Sequence, residues 1–315
     1  MLTGLDIAAI KPTRAFNPPE VTIMELRQLE YFQVVSRLKS ISKAAEEVHI
    51  SQPSVTIAIR KLEEDLGILL LDRSQRQITL TSEGLIFSRH VNDILARIEG
   101  SVSEMKDLGS LKMGSIKIGI PPMVGVFLFP QIFAGFRKQY PNLKLTVIEV
   151  GSLAIQNLLE QGRLDIGIIT KSYTSSFLEI FPITTGQIHV CLHPGHPLSN
   201  LSSIPFKSLS DQPFILLKED TYNRQTVMEE CKKNHFAPQI IFSSSQIDTI
   251  ISLVELDLGI SFLIDVIAQK YPMIHSRPLA DPMQSPVVLA WNRERYLSKA
   301  AGAFIDFITN IYNNP

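Results

Sequence analysis

The chain has 315 residues, 45% of them hydrophobic, and a formal net charge of −1. That length and apolar content can bury more than one core, so two or three domains are expected, and the charge balance excludes a uniformly basic nucleic-acid coat protein. Cys191 and Cys231 are the only cysteines, which argues against a disulfide framework and for a reducing cytoplasm.

No apolar run approaches the length of a membrane span, so no membrane partner is expected. Residues 1–23 lack the basic start and long apolar core of a signal peptide, and Pro12, Pro18 and Pro19 argue against a stable helix. We expect an unstructured extension there.

From Met24 a first helix carries Leu26, Leu29, Phe32 and Val35 at roughly helical spacing and should brace the next two helices. Two short helical patterns then sit back to back, Ser42 to Val48 and Ser51 to Leu66, separated by His49 and Ile50. That is the spacing of a helix-turn-helix. Ser42 is expected to cap the first, whose Ala44 and Ala45 allow close helix crossing. Ser51 is expected to cap the second, with Pro53 in its first turn, where a missing N–H costs little. Val55, Ile59, Leu62 and Leu66 recur at steps of four, three and four, so one face packs inward and leaves Gln52, Ser54, Thr56 and Arg60 outward. Hydroxyls, an amide and an Arg on one flank suit the floor of a DNA major groove. The plainer alternative is a helical hairpin with a solvated polar face.

After Gly67 the run LLLDRSQRQITL reads as strand, polar turn and strand, a wing with Arg73 and Arg76 at its turn. Acidic residues between Met24 and Ser110 are at least as numerous as basic ones, so the basic groups must act locally. Arg60, Lys61, Arg73 and Arg76 are expected near phosphates, with Glu63, Glu64 and Asp65 turned away.

These residues carry a resemblance. MELRQLEYF (Met24 to Phe32), AAEEVHISQPSV, KLEEDLG, LLDRS and LTSEG, in that order, resemble the winged helix-turn-helix of the LysR-type transcriptional regulators. The resemblance implies double-stranded DNA as partner and contacts from Ser42, Ser51, Gln52, Pro53, Ser54, Thr56, Ile57, Arg60, Arg73 and Arg76. Family members often carry polar residues just after the hydroxyl at Thr56. Here Ile57 and Ala58 stand there, which shifts contact toward thymine methyls.

Glu83 to Leu108 reads as one long helix, with Val91, Leu95, Ile98, Val102 and Met105 in the alternation of a coiled-coil seam. A dimer seam is preferred over a helix lying on its own domain, because one winged module cannot specify a site of useful length. The resemblance implies the same pairing, in a homodimer or homotetramer. DLGSLKMGS (Asp107 to Ser115) then marks a hinge.

Beyond it the grammar becomes α/β. Strand Ser115 to Ile120, helix Val124 to Gln139, strand Leu143 to Val150, helix Leu153 to Gln161 and strand Leu164 to Thr170 require a parallel sheet with helices on its faces. A second unit has strands Ile188 to Leu192, Phe214 to Lys218, Gln239 to Ser243 and Gly259 to Leu263, and helices Asn223 to Asn234 and Gln246 to Leu256. Strand Pro286 to Trp291 and helix Ser298 to Ile311 return to the first lobe. The arrangement resembles the LysR-type effector domain, which has the periplasmic-binding-protein fold. On that model the chain crosses between lobes near Pro182 to Ile188 and near Pro282 to Val287. The expected whole is an α+β multidomain chain: an extension (1–23), a winged helix-turn-helix (24–82), a linker helix and hinge (83–112), and a two-lobed α/β effector domain (113–315). Its lobes are 113–184 with 286–315, and 185–285.

In open α/β sheets a ligand binds beyond the carboxyl ends of the strands, facing helix starts. Those positions here are Pro122, Met123, Val124 and Gly125; Thr170 with Lys171; Tyr222 and Arg224; and Ser244, Ser245 and Gln246. The family binds small-molecule inducers in this cleft, small organic anions being common among them, and helix N-termini with these hydroxyls would hold a carboxylate. Pro122, Met123 and Val124 make one side apolar. Each Ser or Thr is also an ordinary cap residue.

No cofactor is expected. His189, His193 and His196 beside Cys191 fail as a metal set, because Pro194 and Pro197 divert the later imidazoles. Cys191 reads as a buried small hydrophobe, while Cys231 beside Lys232 and Lys233 would have a lowered pKa if exposed. No G-x-S-x-G elbow, P-loop or paired-Cys motif supports an enzyme. The reading is a bacterial cytoplasmic regulator, not an enzyme, with RNA polymerase as a further partner. The alternatives are a cytoplasmic small-solute-binding protein and a thiol-based redox-sensing regulator.

Overall fold

The computed structural model describes residues 24–74, 77–107, 114–170 and 175–313, the side chains of Ser103, Lys106 and Asp107 excepted. The expected extension, Arg76, Lys171 and most of the expected hinge lie outside the described residues. The chain divides into two compact units, one ending at Val91 and the other beginning at Asn92.

The first unit contains α1 (Leu26–Leu38), α2 (Ile41–Glu47), α3 (Gln52–Leu66), the short strands β1 (Leu71–Asp72) and β2 (Thr79–Leu80), and the start of α4 (Ser82–Asp107). Leu29, Phe32, Val35, Ala44, Val55, Ile59 and Leu62 are buried as a common apolar set. The α2 start differs from expectation. Ser40, not Ser42, is the cap, its hydroxyl accepting from Lys43 N, because the helix begins at Ile41 and leaves Ser42 inside the first turn. Ser51 caps α3 as expected, accepting from Ser54 N. Gly67 ends α3 at φ 68°, a left-handed conformation that glycine adopts without strain. β1 and β2 pair antiparallel, Leu71 with Leu80.

The second unit is built on a six-stranded sheet in the order β4-β3-β5-β10-β6-β9. β3 (Ser115–Ile120), β4 (Lys144–Glu149) and β5 (Ile166–Thr170) are parallel, as the alternation of strands and helices requires. They alternate with α5 (Pro122–Phe127), α6 (Phe129–Gln139) and α7 (Ser152–Glu160). The single helix expected over 124–139 is two, broken at Leu128. Pro130 has no N–H to give the Val126 carbonyl, which accepts from Lys270 Nζ at 3.1 Å instead.

β6 (Leu178–Leu192) and β10 (His275–Asn292) are far longer than the segments Ile188 to Leu192 and Pro286 to Trp291 suggested. They run antiparallel side by side, Gly186 opposite Ser285 and Ile188 opposite Met283, so both crossings between lobes are made by paired strand. The second lobe adds β7 (Pro213–Leu217), α8 (Tyr222–Lys233), β8 (Gln239–Ser244), α9 (Ile247–Glu255), β9 (Ser261–Ile264) and α10 (Asp265–Ala268). β7 and β8 pair in parallel, and Phe214 bridges to Ile260 beside β9. α11 (Lys299–Tyr312) returns to the first lobe, where Phe304 and Ile308 pack with Phe136, Ile116 and Ile118.

Candidate DNA-contact face and ligand cleft

In the first unit α3 separates its faces cleanly. Val55, Ile59 and Leu62 are fully buried, whereas Gln52, Pro53, Ser54, Ile57 and Arg60 are exposed. Ile57, at 66% exposure, is a large apolar side chain on the outward face. The start of the helix is organised by its own hydroxyls: Ser51 Oγ lies 2.7 Å from Ser54 Oγ, and Thr56 Oγ1 donates to the Gln52 carbonyl at 3.0 Å. Ser42 remains exposed and donates to Gln52 Oε1 at 3.2 Å, joining α2 to the same surface.

The wing is anchored by a residue expected to point away. Glu63 is only 5% exposed; one carboxylate oxygen accepts from Leu70 N (2.9 Å) and Leu71 N (3.0 Å), and the other from Arg73 Nη2 (2.9 Å). Arg73 is therefore tied to the base of the wing, with part of its side chain still in solvent. The signal for Glu63 was in the sequence: it stands four residues after Ile59, on the inward stripe itself.

Along α4, Val91 and Leu95 are buried within the chain rather than left free as a seam, while Ile94, Ile98, Val102 and Met105 form an exposed apolar row at steps of four, four and three. This row is offset from the expected seam at its first two positions.

In the second unit most expected ligand groups are already engaged within the chain. Val124 is buried in the first lobe's core, and Met123 packs with Ile215, Ile247 and Ile264 of the second lobe. Pro122 and Gly125 are half-buried beside them. Thr170 is buried, its N–H donating to Ser152 Oγ (3.0 Å) and its hydroxyl lying 2.8 Å from the same atom. Arg224 donates to the Leu217 carbonyl (3.2 Å) and Ser243 Oγ (2.6 Å), and it pairs with Glu219. Ser244 Oγ accepts from Gln246 N, Tyr222 is buried, and Ser245 and Gln246 stay exposed. Helix capping and strand-end hydrogen bonds thus use the Thr170 and Ser244 oxygens and the Arg224 guanidinium locally, and leave Ser245 and Gln246 exposed.

Sequence reasoning missed Gly151, Ser152, Asp220 and Asn223. Gly151 N donates to Asp220 Oδ2 at 2.7 Å and Leu153 N to the Asp220 carbonyl at 3.0 Å, joining the start of α7 to the loop before α8. Asn223 is 1% exposed, and neither atom of its amide has a partner among the described residues. A groove of about 860 Å³ lies beside the second half of α4, but several of its charges pair with each other, Arg295 with Asp93 and Lys117 with Glu99.

The cysteines sit in different apolar clusters, Cys191 against α9 and Cys231 in α8, and burial pushes both thiols up to about 12. Their thiolate fraction near neutral pH is negligible, the reverse of a peroxide-reactive thiol. The basic neighbours of Cys231 do not reverse this, since its side chain faces the core. His193 and His196 serve their turn, their Nδ1 atoms accepting from Gly195 N and Leu198 N. No helix among the described residues is long and apolar enough to cross a membrane.

Comparisons with known proteins agree with this architecture. Residues 26–85 match the bacterial regulatory helix-turn-helix of the lysR family, and residues 109–311 match the LysR substrate binding domain. The chain is 35% identical to the uncharacterized HTH-type transcriptional regulator YwbI of Bacillus subtilis, over 93% of this chain and 98% of that protein. A full-length OxyR variant from Pseudomonas aeruginosa superposes with a TM-score of 0.63 at 26% identity, covering 91% of this chain and 95% of that one. Full-length CbnR complexed with its target DNA shares the fold, with a TM-score of 0.62 at 20% identity over 91% of this chain and 99% of that one.

Proposed function

The chain belongs to the LysR family of DNA-binding transcriptional regulators with an effector-binding domain, and from that premise we propose how its own residues divide the work. The outward flank of α3 lies in the major groove. Gln52, Ser54 and Thr56 offer hydrogen bonds to base edges, and Ile57 packs against thymine methyls. Arg60 supplies charge to phosphates, Arg73 does so from the wing base, and Arg76 extends the same role. The observation that carries this reading is the division of α3 into a fully buried apolar face and an exposed row of Gln52, Ser54, Ile57 and Arg60.

Two heads are needed to read a site of useful length, and the exposed row Ile94, Ile98, Val102 and Met105 supports pairing of two α4 helices in a homodimer or a homotetramer. A small metabolite binds between the lobes of the second unit and acts through its different affinity for two arrangements of the oligomer, altering promoter and RNA polymerase contact. The activity is binding rather than catalysis, and the compartment is the cytoplasm. An electrophoretic shift with the DNA upstream of the protein's own gene tests the reading. Retardation of that duplex ahead of a shuffled duplex is expected, and equal retardation of both would refute it.

A further inference from the structure

The two lobes are stapled across the cleft by a carboxylate. Asp220 belongs to a turn in which Thr221 N (3.1 Å) and Thr221 Oγ1 (2.7 Å) both donate to the Lys218 carbonyl. From there its side chain accepts from Gly151 N and its carbonyl from Leu153 N, at the first turn of α7 in the opposite lobe. The approach is so close that a Cβ on residue 151 would stand 2.1 Å from the Asp220 carbonyl oxygen, so only glycine admits it. The exposed N–H groups and dipole of a helix start attract anions. Here the chain's own anion already occupies that position.

A second, independent observation lies three residues on. Asn223 is buried, and neither Oδ1 nor Nδ2 has a partner among the described residues. Val227 and Cys231 follow it at steps of four, packed in the second lobe's core with Met283, so Asn223 ends that ridge on the cleft side. Ser285, two residues beyond Met283 on the crossing strand, is also fully buried, its hydroxyl without a partner among the described residues. Buried amides are almost always hydrogen-bonded, and one left without partners is a destabilising feature that a polar ligand relieves.

We propose that Asp220 is an internal competitor for the anionic group of the effector. A small carboxylate entering the cleft takes the Gly151 N–H and the first turn of α7, accepts from Asn223 Nδ2, and by displacing Asp220 opens the staple between the lobes. The inference rests on the reading of the second unit as an effector domain and adds its regulation. Binding and lobe release become one event, so the ligand favours the released arrangement by its differential affinity.

The test uses the full chain in thermal-shift and calorimetric titrations with straight-chain and aromatic monocarboxylates, each beside its matched carboxamide, such as propanoate with propanamide and benzoate with benzamide. Acids are expected to raise the melting temperature and amides to leave it unchanged. Asp220→Asn, which keeps the shape but removes the competing charge, is expected to bind the acid about tenfold tighter, as when a state nine-tenths latched is freed. Asn223→Leu is expected to lose acid binding while its ligand-free melting temperature does not fall. Amides binding as well as acids, or Asp220→Asn binding acids no better, would overturn the proposal. If no acid binds but a deproteinised cell extract still shifts the melting temperature, the competitor proposal fails and the effector reading stands; if the extract also has no effect, both fail.

Discussion

The outward flank of α3 and the cleft between the lobes are both polar surfaces, yet their polar groups are in opposite conditions. On α3, Gln52, Ser54, Ile57 and Arg60 reach solvent, and the hydrogen bonds nearby organise the helix start without covering them. In the cleft, Thr170, Arg224 and Ser244 are paired within the chain, and the first turn of α7 is filled by Asp220. A surface that reads a large, charged polymer can stand ready. On the proposal made above, a cleft that changes state when a small molecule arrives instead holds contacts for the ligand to exchange.

The contrast can be broken most forcefully at the base of the wing. Glu63→Ala leaves two buried backbone N–H groups and Arg73 without their acceptor, and it is expected to cost about 3 kcal/mol. Hydrogen exchange should accelerate at Leu70 and Leu71; unchanged protection there would mean that the buried carboxylate does not hold the wing. Gly151→Ala attacks the cleft in the same spirit. Its Cβ has no room against Asp220, and a loss of about 2 kcal/mol, read as a lowered melting temperature, is expected from the overpacking.

Smaller changes sharpen the contrast. Arg60→Ala should weaken binding to every duplex alike and reduce the slope of log affinity against log salt by about one, as for a lost phosphate contact. A sequence-selective loss would move Arg60 from phosphate to base. Thr56→Ala should leave the salt slope alone and cost about 1 kcal/mol of discrimination between specific and shuffled sites. At the small end, thiols pushed up to about 12 should resist iodoacetamide at pH 8 in the folded chain and react only on unfolding. Rapid native labelling would restore a redox reading.

What was legible in the sequence was what local periodicity encodes. The buried stripe of α3, the cap at Ser51 and the stop at Gly67 arise from neighbours within a few residues, and the parallel order of β3, β4 and β5 follows from the alternation of strand and helix along the chain. The full length of β6 and β10 was not legible, because Pro182, Gly186 and Pro278 break the local strand signal where the two segments pair with each other. The cleft was legible as a set of loops but not as chemistry. Thr170 and Arg224 looked available because Ser152 and Ser243, which engage them, are 18 and 19 residues away in sequence. Asp220 gave no sign that it would reach Gly151, 69 residues distant.

The central claim is that the exposed flank of α3 reads base sequence. Its most direct measurement is fluorescence anisotropy of the full chain on its upstream duplex and on a shuffled duplex of equal length, across a range of salt. The account expects tighter binding to the upstream duplex at every salt concentration, with that preference largely lost in a variant carrying both Gln52→Ala and Thr56→Ala. Equal affinity for the two duplexes in the unaltered chain, or a preference untouched by the double change, would contradict it.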